Sequence, residues 1–310
     1  MRQPPRPPEP LRGMLAHSTL VLLGHGSTLN GQSSAPTRLH ADTLRRRGVL
    51  GQVLEAYWKQ EPSFAAVLRS AWHRDVFVVP LFISAGYFTQ QVIPRELGLP
   101  LIQGVGSPGI YEVGRHRVRY GAPVGTHPSM TDVIARRAME VLRNEARPEG
   151  SPRPSEVSLF VAGHGTSNSE NSRRAVEDHV ALLAARGGFH DVHAVFMEES
   201  PRIEEVPALA QTRNVVVVPF FLSDGLHTQE DIPVLLGADP GEVRSRVKDG
   251  LHGWRNPQRM GDRTLWYTPA VGDEPGLADV ILERALEWGD PCVKRDDSTP
   301  DSALAGSSNE

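Results

Sequence analysis

The chain has 310 residues, enough for two ordinary domains, with the composition of a soluble globular protein and a net charge of −4. That charge argues against nucleic acid as the main partner, and no apolar run approaches the ~20 residues that cross a bilayer. The one cysteine, Cys292, excludes a disulfide framework, a thiolate zinc site and an iron–sulfur cluster, so any metal must use histidines and carboxylates. Lysine occurs only at positions 59, 248 and 294. A GC-rich genome accounts for that arginine bias; guanidinium forks also suit carboxylate ligands.

In chain order, residues 1–17 open with MRQPPRPPEP, which has no apolar core of a secretory signal and reads as a flexible proline-rich lead; a cytoplasmic location is expected. A first unit spans residues 18–143. Residues 144–157, with three prolines and no apolar periodicity, read as a linker. A second unit spans residues 158–290, and a polar tail, 291–310, is expected to be disordered. Within the second unit, strands are predicted at Leu159–Ala162, Val192–Phe196, Asn214–Leu222 and Tyr267–Val271. Helices are predicted around Val176, Val180 and Leu183, over Ile203–Ala210, and over Leu277–Trp288. Strand and helix alternate, so the expected fold is α/β: two similar domains, each a parallel sheet flanked by helices, with ligands at the carboxyl ends of the strands.

The two units are copies. VFVVPLFISAGYFTQQVIP (76–94) and VVVVPFFLSDGLHTQEDIP (215–233) share 11 of 19 positions at an offset of 215 − 76 = 139. Gly24-His25-Gly26-Ser27 and Gly163-His164-Gly165-Thr166 keep that offset. The copies differ where chemistry is concerned: Phe88 faces His227, and Lys59-Gln60 face Glu198-Glu199. His164, Glu198 and His227 are each expected at a strand end on one edge of one sheet. Two imidazoles and a carboxylate there form a candidate site for a divalent metal and for proton transfer. The remaining histidines (His40, His73, His179, His190 and His252 among them) are expected on a solvated surface.

These motifs carry a resemblance. Gly-His-Gly-Ser/Thr after the first strand, Phe-Met-Glu-Glu-Ser-Pro after the second, and Val-Val-Pro-Phe-Phe-Leu-Ser-Asp-Gly-Leu-His-Thr-Gln-Glu-Asp-Ile-Pro after the third resemble the sirohydrochlorin chelatase family. The likeness covers about four fifths of the chain. Members insert cobalt, for cobalamin, or iron, for siroheme, into a modified tetrapyrrole. The resemblance implies a tetrapyrrole cleft between the two domains. It implies His164, His227 and Glu198 as metal-binding and catalytic residues, a divalent metal as substrate, and no organic cofactor. The tetrapyrrole substrate is a poly-carboxylate, so the cleft needs donors: Thr166, Ser167 and Arg173 or Arg174 are candidates, with a solvated helix face as the alternative for the arginines, and Tyr87 and Phe88 are candidates for an apolar wall, with packing at a strand end as theirs. Many two-domain members keep the site in the first half; here the match falls in the second. A non-catalytic metal or tetrapyrrole carrier is the rival reading. A histidine phosphatase is disfavoured by Gly163 where that chemistry needs an arginine, and a serine hydrolase by the lack of a Gly-x-Ser-x-Gly elbow.

Overall fold

A computed structural model describes residues 9–28, 31–144, 150–165 and 170–287, with side chains from residue 13 onward. The expected tail (291–310) and part of the expected linker (145–149) lie outside the described residues. The lead is not structureless throughout: helix α1 (Glu9–Ala16) covers its end, and Leu15 is fully buried against the core.

The first half contains β1 (Ser18–Gly24), α2 (Ala35–Arg47), β2 (Gln52–Tyr57), α3 (Phe64–Val67), β3 (Asp75–Pro80), α4 (Ile93–Glu96), β4 (Gly109–Val113), β5 (His116–Tyr120) and α5 (Met130–Asn144). The second half contains β6 (Val157–Gly163), α6 (Glu170–Arg186), β7 (Asp191–Phe196), α7 (Val206–Leu209), β8 (Asn214–Pro219), α8 (Ile232–Leu235), α9 (Pro240–Lys248), β9 (Gln258–Met260), β10 (Arg263–Tyr267) and α10 (Leu277–Leu286). The sheets run β2-β1-β3-β5-β4 and β7-β6-β8-β10-β9, the same order twice. Four strands of each are parallel, and the fifth, β4 or β9, is an antiparallel edge. The sheets are therefore mostly parallel, not wholly so. Two boundaries also differ from expectation. The run predicted as Asn214–Leu222 leaves the sheet at Pro219, and the last parallel strand is Arg263–Tyr267 rather than Tyr267–Val271.

Strand alternation explains how the halves join. Leu20, Leu22, Phe77 and Val79 point to one face of the first sheet, and Leu159, Val161, Val216 and Val218 to one face of the second; all eight belong to one shared core. The intervening residues, such as Val21 and Val78, or Phe160 and Val217, fill separate outer cores. The last helix of each half crosses over: α5 packs on β8 and β10, and α10 packs on β3.

Paired polar contacts lock this exchange. His40 Nε2 donates to Gly272 O at 2.7 Å and His179 Nε2 to Gly125 O at 2.6 Å. Arg137 reaches Ala270 O at 3.1 Å, and Arg284 reaches Pro123 O at 3.2 Å. Thus His40 and His179, expected on the surface, are buried at the junction, and burial lowers both pKa values from the ordinary histidine value.

Candidate functional site

The site is built where β6, β7 and β8 end. Beyond Gly163 the chain turns through Gly165, whose φ of +63° favours glycine. A Cβ at Gly165 would lie 2.8 Å from atoms of both Phe196 and Glu199, so only glycine lets the β7 loop come this close. That loop then hydrogen-bonds to the turn. Met197 N and Glu198 N donate to His164 O at 3.1 and 3.2 Å, which sets Glu198 beside the histidine. The first half repeats this backbone: Trp58 N and Lys59 N donate to His25 O at 3.1 and 3.0 Å. The scaffold is shared and the side chains differ.

After β8, Phe220–Leu222 leaves the sheet to wall the cleft, and a π-helical turn over His227–Asp231 follows. Such turns are frequent at functional sites. The matching turn in the first half is Phe88–Val92. The ring of His227 crosses that of His164 edge-on, with centroids 5.1 Å apart at 79°. Phe88 crosses His25 in the same way, at 5.0 Å and 80°. Phe88 therefore occupies the place of the second histidine in a site of identical shape.

Hydrogen bonds orient both imidazoles. His164 Nδ1 lies 3.1 Å from Gly165 O, and His227 Nδ1 lies 2.7 Å from Asp231 Oδ2. Each partner is an acceptor, so Nδ1 carries the proton and the neutral ring keeps its lone pair on Nε2. The Nε2 of His164 is 3.8 Å from Glu198 Oε1. Asp231, which orients His227, is a member of the candidate site that was not singled out from the sequence. The signal was available, since the first copy has Val92 at that position (231 − 139 = 92).

The two neighbouring carboxylates have different surroundings. Glu198 is the more exposed, at 55% for its side chain, and faces His164. Glu199 is held by Arg173 at 3.1 Å beneath Gly165. Arg173 also bonds Glu177 at 2.8 Å and Ser200 O at 2.9 Å, and lies over the Phe196 ring. Its guanidinium is thus engaged within the protein, and it braces Glu199 rather than standing open to a ligand. Arg174 lines a separate groove along α6. Thr166 and Ser167 lie outside the described residues. Among the described residues, no group of three His, Cys, Asp or Glu side chains is arranged to hold a metal ion. His164 and His227 stand together on one rim, with Glu198 beside His164.

That rim faces a cavity of about 710 Å³ between the halves, lined by His164, His227 and Phe221 on one side and by His25, Phe82 and Phe88 on the other. A smaller extension of about 300 Å³ adds Tyr87, Gly86 and Ser172. Phe88 stacks on Phe82 at 5.6 Å and meets Tyr87 at 5.5 Å, giving the first half an aromatic wall opposite the imidazoles.

Comparisons with known proteins agree with this architecture. The CbiX family pattern matches residues 19–141 and again residues 158–288. A protein of Halobacterium salinarum named "probable sirohydrochlorin cobaltochelatase" is 43% identical over 88% of this chain and 92% of its own length. A sirohydrochlorin cobaltochelatase of Methanopyrus kandleri is 32% identical, over 42% of this chain and 96% of its own. Among solved structures, DR2241 of Deinococcus radiodurans is described as a multi-domain protein similar in structure to chelatases, with two additional domains. It superposes with a TM-score of 0.70 at 34% identity over 88% of this chain; the present chain spans 55% of its length. The chelatase SirB of Bacillus subtilis, at 15% identity and a TM-score of 0.55, shares the fold. With the family pattern present twice, on two copies of one sheet order, this chain belongs to the CbiX family.

Proposed function

We propose that this protein is a sirohydrochlorin chelatase that inserts a divalent metal, cobalt in preference to iron, into a tetrapyrrole bound between its halves. The observation that carries this reading is the pair of edge-on imidazoles, each with Nδ1 on an acceptor and with Glu198 beside His164 Nε2, across a 710 Å³ cavity from an aromatic wall. The relative that is 43% identical supports the substrate and the metal.

The chemistry follows from the donors. Imidazole and carboxylate hold Co²⁺ or Fe²⁺ less tenaciously than thiolates, so the metal can be passed on. His164, His227 and Glu198 present the metal on one face of the macrocycle. As two pyrrole nitrogens take the metal, two N–H protons leave: M²⁺ plus the neutral ring gives the metallated ring and two H⁺. In this reading Glu198 and His164 accept those protons, and the exposure of Glu198 gives them a route to water. Phe82, Tyr87 and Phe88 press on the opposite face, where strain toward a bent ring can be applied. Lys59, in the first half at the place of Glu198, lines a further part of the cleft and complements a poly-carboxylate substrate. None of the described helices is long and apolar enough to cross a membrane; a cytoplasmic location remains part of the proposal.

The test is absorbance of sirohydrochlorin mixed with Co²⁺, Fe²⁺ or Ni²⁺. Multiple turnovers per protein establish a chelatase. Binding that stops at one equivalent, with no metal inserted, establishes the carrier instead.

A further inference from the structure

The first half keeps one member of the candidate site and has lost the others. At the offset of 139, Glu198, His227 and Asp231 become Lys59, Phe88 and Val92, but His164 is matched by His25. The turn that holds the histidine is kept as well. Gly26 has a φ of +66°, where Gly165 has +63°. A Cβ at Gly26 would lie 2.9 Å from side-chain atoms of both Tyr57 and Gln60, so this close approach also needs glycine. His25 Nδ1 lies 2.8 Å from Gly26 O, an acceptor, so the neutral ring carries its proton there and its lone pair on Nε2. Phe88 packs edge-on against the ring at 5.0 Å and 80°. His25 lines the same cavity as His164 and His227, from the opposite half.

The neighbours of His25 decide what this imidazole can do. A hydrated divalent ion needs several donors; here it would meet one imidazole, an apolar ring and an ammonium group. Lys59 stands on the ledge that Glu198 occupies in the other half, its backbone N donating to His25 O at 3.0 Å, and it lines a pit beside His25. Its charge opposes a 2+ ion. A metal already inside the macrocycle is different. Four ring nitrogens surround it, and the two protons lost on insertion offset its charge, so Lys59 no longer opposes it. It lacks only a donor from one face. A single oriented imidazole is the usual protein ligand for a tetrapyrrole metal in that state.

We propose that His25 is the axial ligand of the inserted metal, binding it through Nε2 from the face of the macrocycle opposite His164 and His227. The proposal rests on the chelatase reading. On insertion, the metal's bonds to His164 and His227 give way to bonds from the ring nitrogens, and His25 Nε2 adds its lone pair on the far side. No electron and no further proton is transferred. His25 acts after the metal has left the second half, so insertion itself does not require it. This role also accounts for a first half that keeps one imidazole and its turn without the second imidazole, the carboxylate or Asp231.

The test uses preformed cobalt(II) sirohydrochlorin and the full chain, unlabelled and labelled with ¹⁵N, under argon. The unpaired electron of low-spin cobalt(II) lies perpendicular to the ring, so an axial nitrogen splits each cobalt line in the electron paramagnetic resonance spectrum. Unlabelled protein is expected to give three-line splitting, labelled protein two-line splitting, and His25→Ala neither. His25→Ala should also bind the cobalt complex about 10-fold or more weakly, since loss even of a group that orients a metal ligand costs about that much. Metal-free sirohydrochlorin should bind His25→Ala as it binds wild type, which a packing role for His25 would not allow. The proposal is overturned by splitting that survives in His25→Ala or that disappears in His164→Ala instead. A wild type that shows no splitting, or an equal loss of affinity for the complex and the metal-free ring, also overturns it. Turnover is measured apart from this: His25-dependent splitting in a protein that inserts no cobalt sinks the chelatase reading and leaves the ligand assignment to a carrier of the metallated ring.

Discussion

Replacing His227 with phenylalanine copies the first half into the second, and the structure says what should follow. Phe88 already occupies the equivalent place against His25 at 5.0 Å and 80°, where His227 meets His164 at 5.1 Å and 79°. The new ring therefore has room in a geometry that this backbone already holds. The change removes the His227–Asp231 pair, whose side chains are 47% and 41% exposed. An exposed pair of that kind contributes about 0.2–1 kcal/mol. The edge contact with the His164 ring is already made by His227 and is kept by the new ring, so it adds little in either direction. The net change is within about 1 kcal/mol, a shift in Tm of a few degrees at most. Metal insertion should fall about 100-fold, because one of the two imidazoles that present the metal is gone, and loss even of a group that orients a metal ligand costs about 10–100-fold. Thermal melting and the absorbance change of sirohydrochlorin with Co²⁺ measure the two effects separately. A His227→Phe protein that melts like wild type and inserts metal at the wild-type rate refutes the reasoning.

Other outcomes follow from the same geometry. Glu198→Gln should lower turnover with little change in stability, since its side chain is 55% exposed, whereas Glu199→Gln should mainly affect folding by releasing Arg173; steady-state rates and urea titrations separate them. Gly165→Ala should destabilise by about 2 kcal/mol or more, from the positive φ and the contacts with Phe196 and Glu199, as read by denaturant midpoints. Stability should fall on acidification below about pH 6.5. His40 and His179 have folded pKa values below that figure, so the unfolded chain binds the extra protons, at up to about 1.4 kcal/mol per pH unit for each. Glu274, whose carboxyl burial pushes up, acts in the opposite sense at lower pH, and Tm measured from pH 7.5 to 5.5 in wild type and in His40→Phe, which should have a shallower slope, tests the sign.

The duplicated strands were legible because uniformly apolar, β-branched runs such as Val215–Val218 admit few other structures. The candidate site was legible because two copies of one scaffold expose their differences: Phe88 against His227, and Lys59 against Glu198. The edge strand Gln258–Met260 was missed because its residues, only partly buried or exposed, show no apolar alternation. The end of β8 was overrun because Phe220–Leu222 stays apolar after leaving the sheet: Phe220 and Leu222 pack on the shared core and Phe221 on the outer core. Amphipathic spacing shows that α5 and α10 each bury a face, but not that each covers the other half's sheet. For the same reason His40 and His179 read as surface residues: a polar side chain on a helix gives no sign that a carbonyl from the other half awaits it. The brace of Arg173 on Glu199 depends on side-chain direction, which spacing does not carry.

The account rests on an asymmetry, that the second half handles the metal and the first half forms the opposing wall. The most direct test is the kcat of Co²⁺ insertion into sirohydrochlorin for His164→Ala and His25→Ala side by side. The account predicts that His164→Ala loses about 100-fold or more, while His25→Ala keeps a kcat close to wild type. An inactive His25→Ala beside an active His164→Ala would contradict it and place the metal in the other half.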